Sequence, residues 1–193
     1  MRSLRAGVAV FVVLCGSVIG AARPQNPAGT RADALGVFDE RLAAYAALHQ
    51  RLETSLAPMT PTGDIRSLFL ASESLAFAIR TARPNARQGD IFTPAVADVL
   101  RRVIGEALDG VDREALLRDL YLEDDVPPGY QPRVYDSYPR WATHEMPVVV
   151  LHRLPLLPKD IAYRLVDHAL VLWDIHADLI VDVLPDAIAR PSL

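Results

Sequence analysis

The chain has 193 residues, 51% hydrophobic and 23% charged, the size and balance of one globular domain with its own core. A formal net charge of −4 and a single lysine, Lys159, exclude the basic footprint that nucleic acid or an anionic membrane surface would require. The single cysteine, Cys15, excludes an internal disulfide framework.

The first residues read as a targeting segment. Arg2 and Arg5 precede an apolar run from Ala6 to Ile19, and Gly20, Ala21 and Ala22 close it with small side chains. This is the pattern of a secretory signal peptide, with cleavage expected after Ala22. The run is shorter than the roughly 20 residues a spanning helix needs, so no stable membrane anchor is expected after cleavage. Lipidation at Cys15 is disfavoured because Leu14, not a small residue, precedes it. Loss of Arg2 and Arg5 takes the net charge from −4 to −6 and leaves an acidic chain without cysteine. The expected organisation is a signal peptide over 1–22, a flexible start over 23–32 and a single domain over 33–193. The expected location is periplasmic or secreted.

Leu35, Phe38, Leu42, Tyr45, Leu48 and Leu52 recur at helical spacing and predict a long amphipathic helix. That stripe is read as packing on the chain's own core; the alternative is a coiled-coil seam, through which 35–52 would form a homo-oligomer. Residues 57–63 carry two prolines and a glycine and predict a turn. Asp64 then caps a second helix whose apolar side includes Ile65, Leu68, Leu75, Ala76 and Ile79, making an antiparallel hairpin. Pro84 stops it.

Between Thr81 and Pro94 the polar side chains are dense. Arg83, Asn85, Arg87, Gln88 and Asp90 surround Gly89, and they define a ligand-binding loop in which guanidinium and amide groups grip an anion or a sugar. The structural alternative is a loop whose polar groups satisfy the orphaned backbone groups of two helix ends. Thr93 and Pro94 open a third helix with Val96, Val99, Leu100, Val103, Ile104 and Leu108 on its apolar face. Asp112 caps a fourth, short one. Residues 123–139 hold four prolines and three tyrosines, which predicts an extended segment laid over the surface and anchored by Tyr130, Tyr135, Tyr138 and Trp141. The Glu123, Asp124, Asp125 triplet lacks the alternating spacing of a calcium loop and reads as a solvated cluster. A turn or two of helix is expected from Pro147.

From Ala162 to Leu184 three β-type runs predict an antiparallel meander, with tight turns at Asp167-His168 and near His176-Ala177, ended by Pro185. In the third run, Leu179, Val181 and Val183 are expected to alternate against Ile180 and Asp182. On a continuous strand Asp174, His176 and Asp178 would share one face as a metal-ligand set. A turn there would separate them. His144, Glu145 and His152 add further ligand types at undefined distances. No serine-hydrolase elbow, zinc-protease helix or phosphate-cradling loop occurs, and Glu73, Glu106 and Glu114 are the carboxylates a hydrolase of the glycosidase type would draw on.

The segment ARPNARQGDIFTP at Ala82 to Pro94 and the ending YRLV, LVLWD and LIVDVLPDAI from Tyr163 to Ile188 together resemble a family of uncharacterised bacterial exported proteins. The resemblance implies export and the same succession of helices, Pro-rich segment and C-terminal ending, and it brings no activity or site residue with it. The ending is also loosely similar to the sheet endings of small periplasmic metal-stress proteins.

The expected fold is α+β: an N-terminal helical hairpin, two further helices, a Pro/Tyr-rich extended segment and a C-terminal three-stranded antiparallel meander. The expected function is that of a non-catalytic periplasmic binding or interaction protein with no cofactor indicated. A small secreted carboxylate-dependent hydrolase is the alternative, and a periplasmic metal-binding protein the third reading.

Overall fold

A computed structural model describes residues 27–56, 64–110, 112, 115, 127, 129–139 and 146–188. Helix α1 spans Pro27–Ser55, α2 Ile65–Ala82, α3 Pro94–Ala107 and the one-turn α4 Val148–Leu151. Strands β1 (Ile161–Val166), β2 (Ala169–Asp174) and β3 (Leu179–Leu184) form one antiparallel sheet in the order β1-β2-β3. The α+β architecture is therefore the one the periodicities predicted. Residues 27–32, read as part of a flexible start, are the first turns of α1.

Local chemistry accounts for the helix ends. The Asp64 side chain accepts a hydrogen bond from the Arg66 amide at 3.0 Å and starts α2. Thr93 accepts from the Val96 amide, and Pro94 occupies the first turn of α3, where a missing N–H costs nothing. Gly110, at φ +79°, follows the end of α3 in a left-handed conformation that suits glycine. Asp112 accepts from the Ala115 amide at 2.9 Å; the rest of the predicted fourth helix, the acidic triplet, Trp141, His144 and Glu145 lie outside the described residues.

The helices cover one face of the sheet. Phe38, Leu42 and Tyr45 of α1, Leu75 and Ile79 of α2, and Val96, Leu100 and Ile104 of α3 pack with Ile161, Tyr163, Leu165, Leu170, Leu172, Leu179, Val181 and Leu184 in one core. The stripe on α1 is thus spent inside its own chain. On the other face Val166, Ala169, Val171, Ile180 and Val183 pack beneath Tyr130 and Tyr138. The Pro/Tyr-rich segment is hydrogen-bonded there: the Tyr135 amide donates to Ile180 O and the Ile180 amide donates to Asp136 O, each at 2.8 Å. Tyr138 packs on Trp173 in a tilted pair with ring centroids 4.8 Å apart. An extended chain that shields the second face of a small sheet explains why β3 is buried along its whole length.

The strict alternation expected in β3 is broken. Leu172 pairs with Asp182, but Trp173 pairs with Ile180, so Val181 is an extra residue, a β-bulge. One inserted residue resets which side chains face the helices. Leu179, Val181 and Leu184 point into the main core and Val183 joins Ile180 on the outer face, contrary to the simple alternation. Asp182 is carried to the helix side and fully buried.

Candidate functional site

Two buried carboxylates organise the interior, and they serve different ends. Asp182 receives four backbone N–H groups: Gly89 and Val183 donate to Oδ1, each at 2.8 Å, and Ile91 and Phe92 to Oδ2, each at 2.7 Å. Burial raises its pKa above the ordinary carboxylate value, and the four donors oppose that rise by favouring the charged form. The result is a clamp that ties the loop between α2 and α3 to β3.

The five residues singled out in that loop lie in its frame and along its rim. Arg83 is half-buried, with its guanidinium 5.1 Å from the centre of the Tyr45 ring and 3.8 Å from Asp90 Oδ2. Its carbonyl accepts from the Tyr135 hydroxyl at 2.6 Å. Asp90 accepts from the Arg87 amide at 3.0 Å, and its own carbonyl accepts from the Arg41 guanidinium. Asn85, Arg87 and Gln88 are exposed. Arg87, Gln88 and Asp90 line an open groove of ≈ 630 Å³ together with Arg41 and Arg101. Glu73 and Glu106 are exposed on α2 and α3, and Glu114 lies outside the described residues.

The second carboxylate, Asp174, ends β2 and faces α1. Its Oδ2 accepts from the Tyr45 hydroxyl at 2.6 Å and lies 2.6 Å from His49 Nδ1, while its Oδ1 accepts from the Ala177 amide at 2.9 Å. Tyr45, His49 and Glu53 recur every four residues, so they rise along one side of α1, the side that meets the sheet. Glu53 Oε1 is 2.7 Å from His176 Nδ1, and Glu53 Oε2 is 3.5 Å from His49 Nε2. His176 Nε2 lies 3.8 Å from Asp160 Oδ1. One ligand atom each from His49, Glu53 and His176 fall within 4.8 Å of one another. A cleft of ≈ 300 Å³ opens beside them, lined by Gln50, Lys159 and Asp160 among others.

His49 Nε2 is the informative atom. It is buried, and it makes no hydrogen bond even though the other ring nitrogen is held by Asp174. A buried polar nitrogen that makes no hydrogen bond costs free energy unless something fills the position. A carboxylate on Nδ1 that leaves the Nε2 lone pair aimed at further ligand types is the arrangement that orients metal-binding histidines.

The set read from the sequence, Asp174, His176 and Asp178, does not assemble. A turn follows Asp174, and Asp178, at φ +46°, directs Oδ1 to the Trp173 indole N–H at 3.1 Å and the Tyr138 amide at 3.3 Å. Of the three, His176 alone belongs to the cluster of possible ligands, and Asp174 stands behind it as the support for His49. His49 and Glu53 escaped the sequence reading, which placed Leu48 and Leu52 on the buried stripe. The available signal was His49 itself: it sits four residues from Tyr45 and three from Leu52, so it falls on the stripe, and a polar residue there needs a partner.

Protonation of His49 follows from the same contacts. The hydrogen bond to Asp174 raises its pKa above 6.5, burial opposes this, and the charges of Asp174, Glu53 and Asp160 add to the rise. A pKa raised in the folded state adds stability in full below the unfolded value and loses it as pH rises through the folded value. The protein is therefore expected to lose stability as pH rises above 6.5 and through the raised folded value, a range above the titration of ordinary carboxylates. Urea unfolding in chelator across that window checks it. His49→Gln is expected to flatten the slope, whereas a slope unchanged in the variant would assign it to other groups. Tyr45 takes no part, because burial pushes its hydroxyl far above any working pH, so it remains a donor.

Fold and site define an α+β domain with an imidazole and carboxylate cluster wedged between its first helix and the end of its second strand. Compared with protein-family models, with curated proteins and with solved structures, the chain shows no match. No helix among the described residues is long and apolar enough to cross a membrane.

Proposed function

We propose that this is an exported binding protein for a divalent transition-metal ion, held by His49, Glu53 and His176. The observation that carries the reading is the buried His49 Nε2, which makes no hydrogen bond and is oriented by Asp174 beside two further ligand types. Two imidazoles and one carboxylate suit zinc, nickel or copper better than calcium or magnesium, which favour all-oxygen shells. Three protein ligands leave a coordination position open. The adjacent cleft with Lys159 and Asp160 gives that position an approach from solvent. Export rests on the Arg2 to Ala22 segment and on the resemblance to bacterial exported proteins, and both support a periplasmic or secreted location.

Titration calorimetry with zinc, nickel and copper tests the proposal. One ion per chain is expected, with affinity that falls at least about 100-fold in His49→Ala and in His176→Ala, each of which removes a direct ligand. At a free ion concentration of 100 times Kd, binding adds about 2.7 kcal/mol to the unfolding free energy, readable as a raised Tm. Absence of heat with all three ions would end the proposal, as would unchanged affinity in both variants.

A further inference from the structure

Helix α2 faces two ways. Leu75, Ala76 and Ile79 are buried in the core, but Ile65, Phe69, Leu70 and Phe77 are 83%, 53%, 55% and 71% exposed. Four large apolar side chains on one helix are more than scattered surface hydrophobicity, and contiguous apolar surface of this kind marks an interaction site. Arg66, Phe69, Leu70, Glu73 and Phe77 are spaced three, four, seven and eleven residues from Arg66, which aligns them along a single exposed stripe opposite the buried one.

The stripe is self-complementary. Arg66 and Glu73 are exposed, and neither has a charged partner within the chain among the described residues. The midpoint between Arg66 and Glu73 is also the midpoint between Phe69 and Leu70. When a second copy of the helix is laid antiparallel about a two-fold axis at that midpoint, Phe69 meets the partner's Leu70, and Arg66 meets the partner's Glu73. Both contacts occur twice, as a two-fold interface requires. Two ion pairs then flank an apolar centre and set the register, while a parallel arrangement would oppose like charges.

We infer that the chain forms an antiparallel homodimer through the exposed face of α2. This differs from the 35–52 seam considered from sequence, whose apolar side is buried in the chain's own core. A pair of helix faces about 27 Å long offers less than the roughly 800 Å² per partner of a standard interface. The expected affinity is accordingly micromolar.

Sedimentation equilibrium of the purified protein from about 1 to 300 µM, a range chosen around that affinity, tests the inference. The mass is expected to rise from monomer to dimer across the range. Phe69→Glu is expected to hold the protein monomeric throughout. Arg66→Glu and Glu73→Arg singly are expected to weaken the dimer about tenfold or more, and the double exchange to restore it, because the two ion pairs are re-formed with reversed sign. The exposed positions of Arg66 and Glu73 keep this cycle readable even where Phe69→Glu perturbs the helix. A monomer at every concentration would overturn the inference. So would a dimer that the charge exchanges leave unchanged or that the double exchange fails to restore. Metal binding by His49, Glu53 and His176 is measured separately and does not bear on the result.

Discussion

Asp182→Ala is expected to lower the unfolding free energy by about 4 kcal/mol, measured by urea denaturation, because it strands three buried amide donors and a fourth, part-buried one at once. An unsatisfied buried donor costs about 1–3 kcal/mol, and the full sum is reduced by the relief of no longer burying a carboxylate and by water entering the space. Against a typical total of about 5–15 kcal/mol this is a large fraction of the fold's stability. Asp182→Asn retains one acceptor oxygen and is expected to cost about half as much. Amide exchange distinguishes the cause: the Gly89, Ile91 and Phe92 amides are expected to lose protection together, since all three donate to the one side chain. A loss below about 1 kcal/mol would mean that the loop finds its acceptors elsewhere.

Asp174→Ala is expected to cost about 3 kcal/mol, since the Tyr45 hydroxyl, the His49 imidazole and the Ala177 amide all lose the same buried partner. The second consequence separates support of a metal ligand from simple packing. With its Nδ1 unanchored, His49 no longer presents Nε2 in a fixed direction, and metal affinity is expected to drop about 10- to 100-fold. Tyr45→Phe supplies the control. It removes one hydroxyl from Asp174, costs about 1 kcal/mol and leaves the His49 contact intact, so metal affinity is expected to change little. Equal losses of affinity in Tyr45→Phe and Asp174→Ala would show that the carboxylate acts only through general stability.

The loop from Thr81 to Pro94 is held by contacts that its local composition does not reveal. Its density of Arg, Asn, Gln and Asp reads as a ligand site. The structure adds a feature invisible in the local composition, since the Gly89, Ile91 and Phe92 amides are held by Asp182, some 90 residues further along the chain. The long side chains of Arg87, which pairs with Asp90 at 3.8 Å, and of Gln88 line the groove with Arg41 and Arg101, and the backbone beneath them is fixed by the clamp. In β3 the expected alternation was sound as local reasoning and failed at one residue. The extra Val181 lets both Val181 and Asp182 face the helices, and the hydrogen bonds that Asp182 makes there compensate for the disrupted ladder.

Hydrophobic spacing, the Asp64 and Thr93 caps, Pro94 in the first turn of α3, and the turn residues around Asp167 and His176 determined the helices and the meander from sequence alone. These signals act within one or two turns of chain, where side-chain direction follows directly from backbone period. The tertiary structure alone decided which polar groups meet. His49 reaches Asp174 across 125 residues and His176 reaches Glu53 across 123, and only the packing of α1 against the end of β2 brings them together. Local spacing has no term for such pairs: a buried imidazole reveals that it needs a partner, and the fold determines which one it finds.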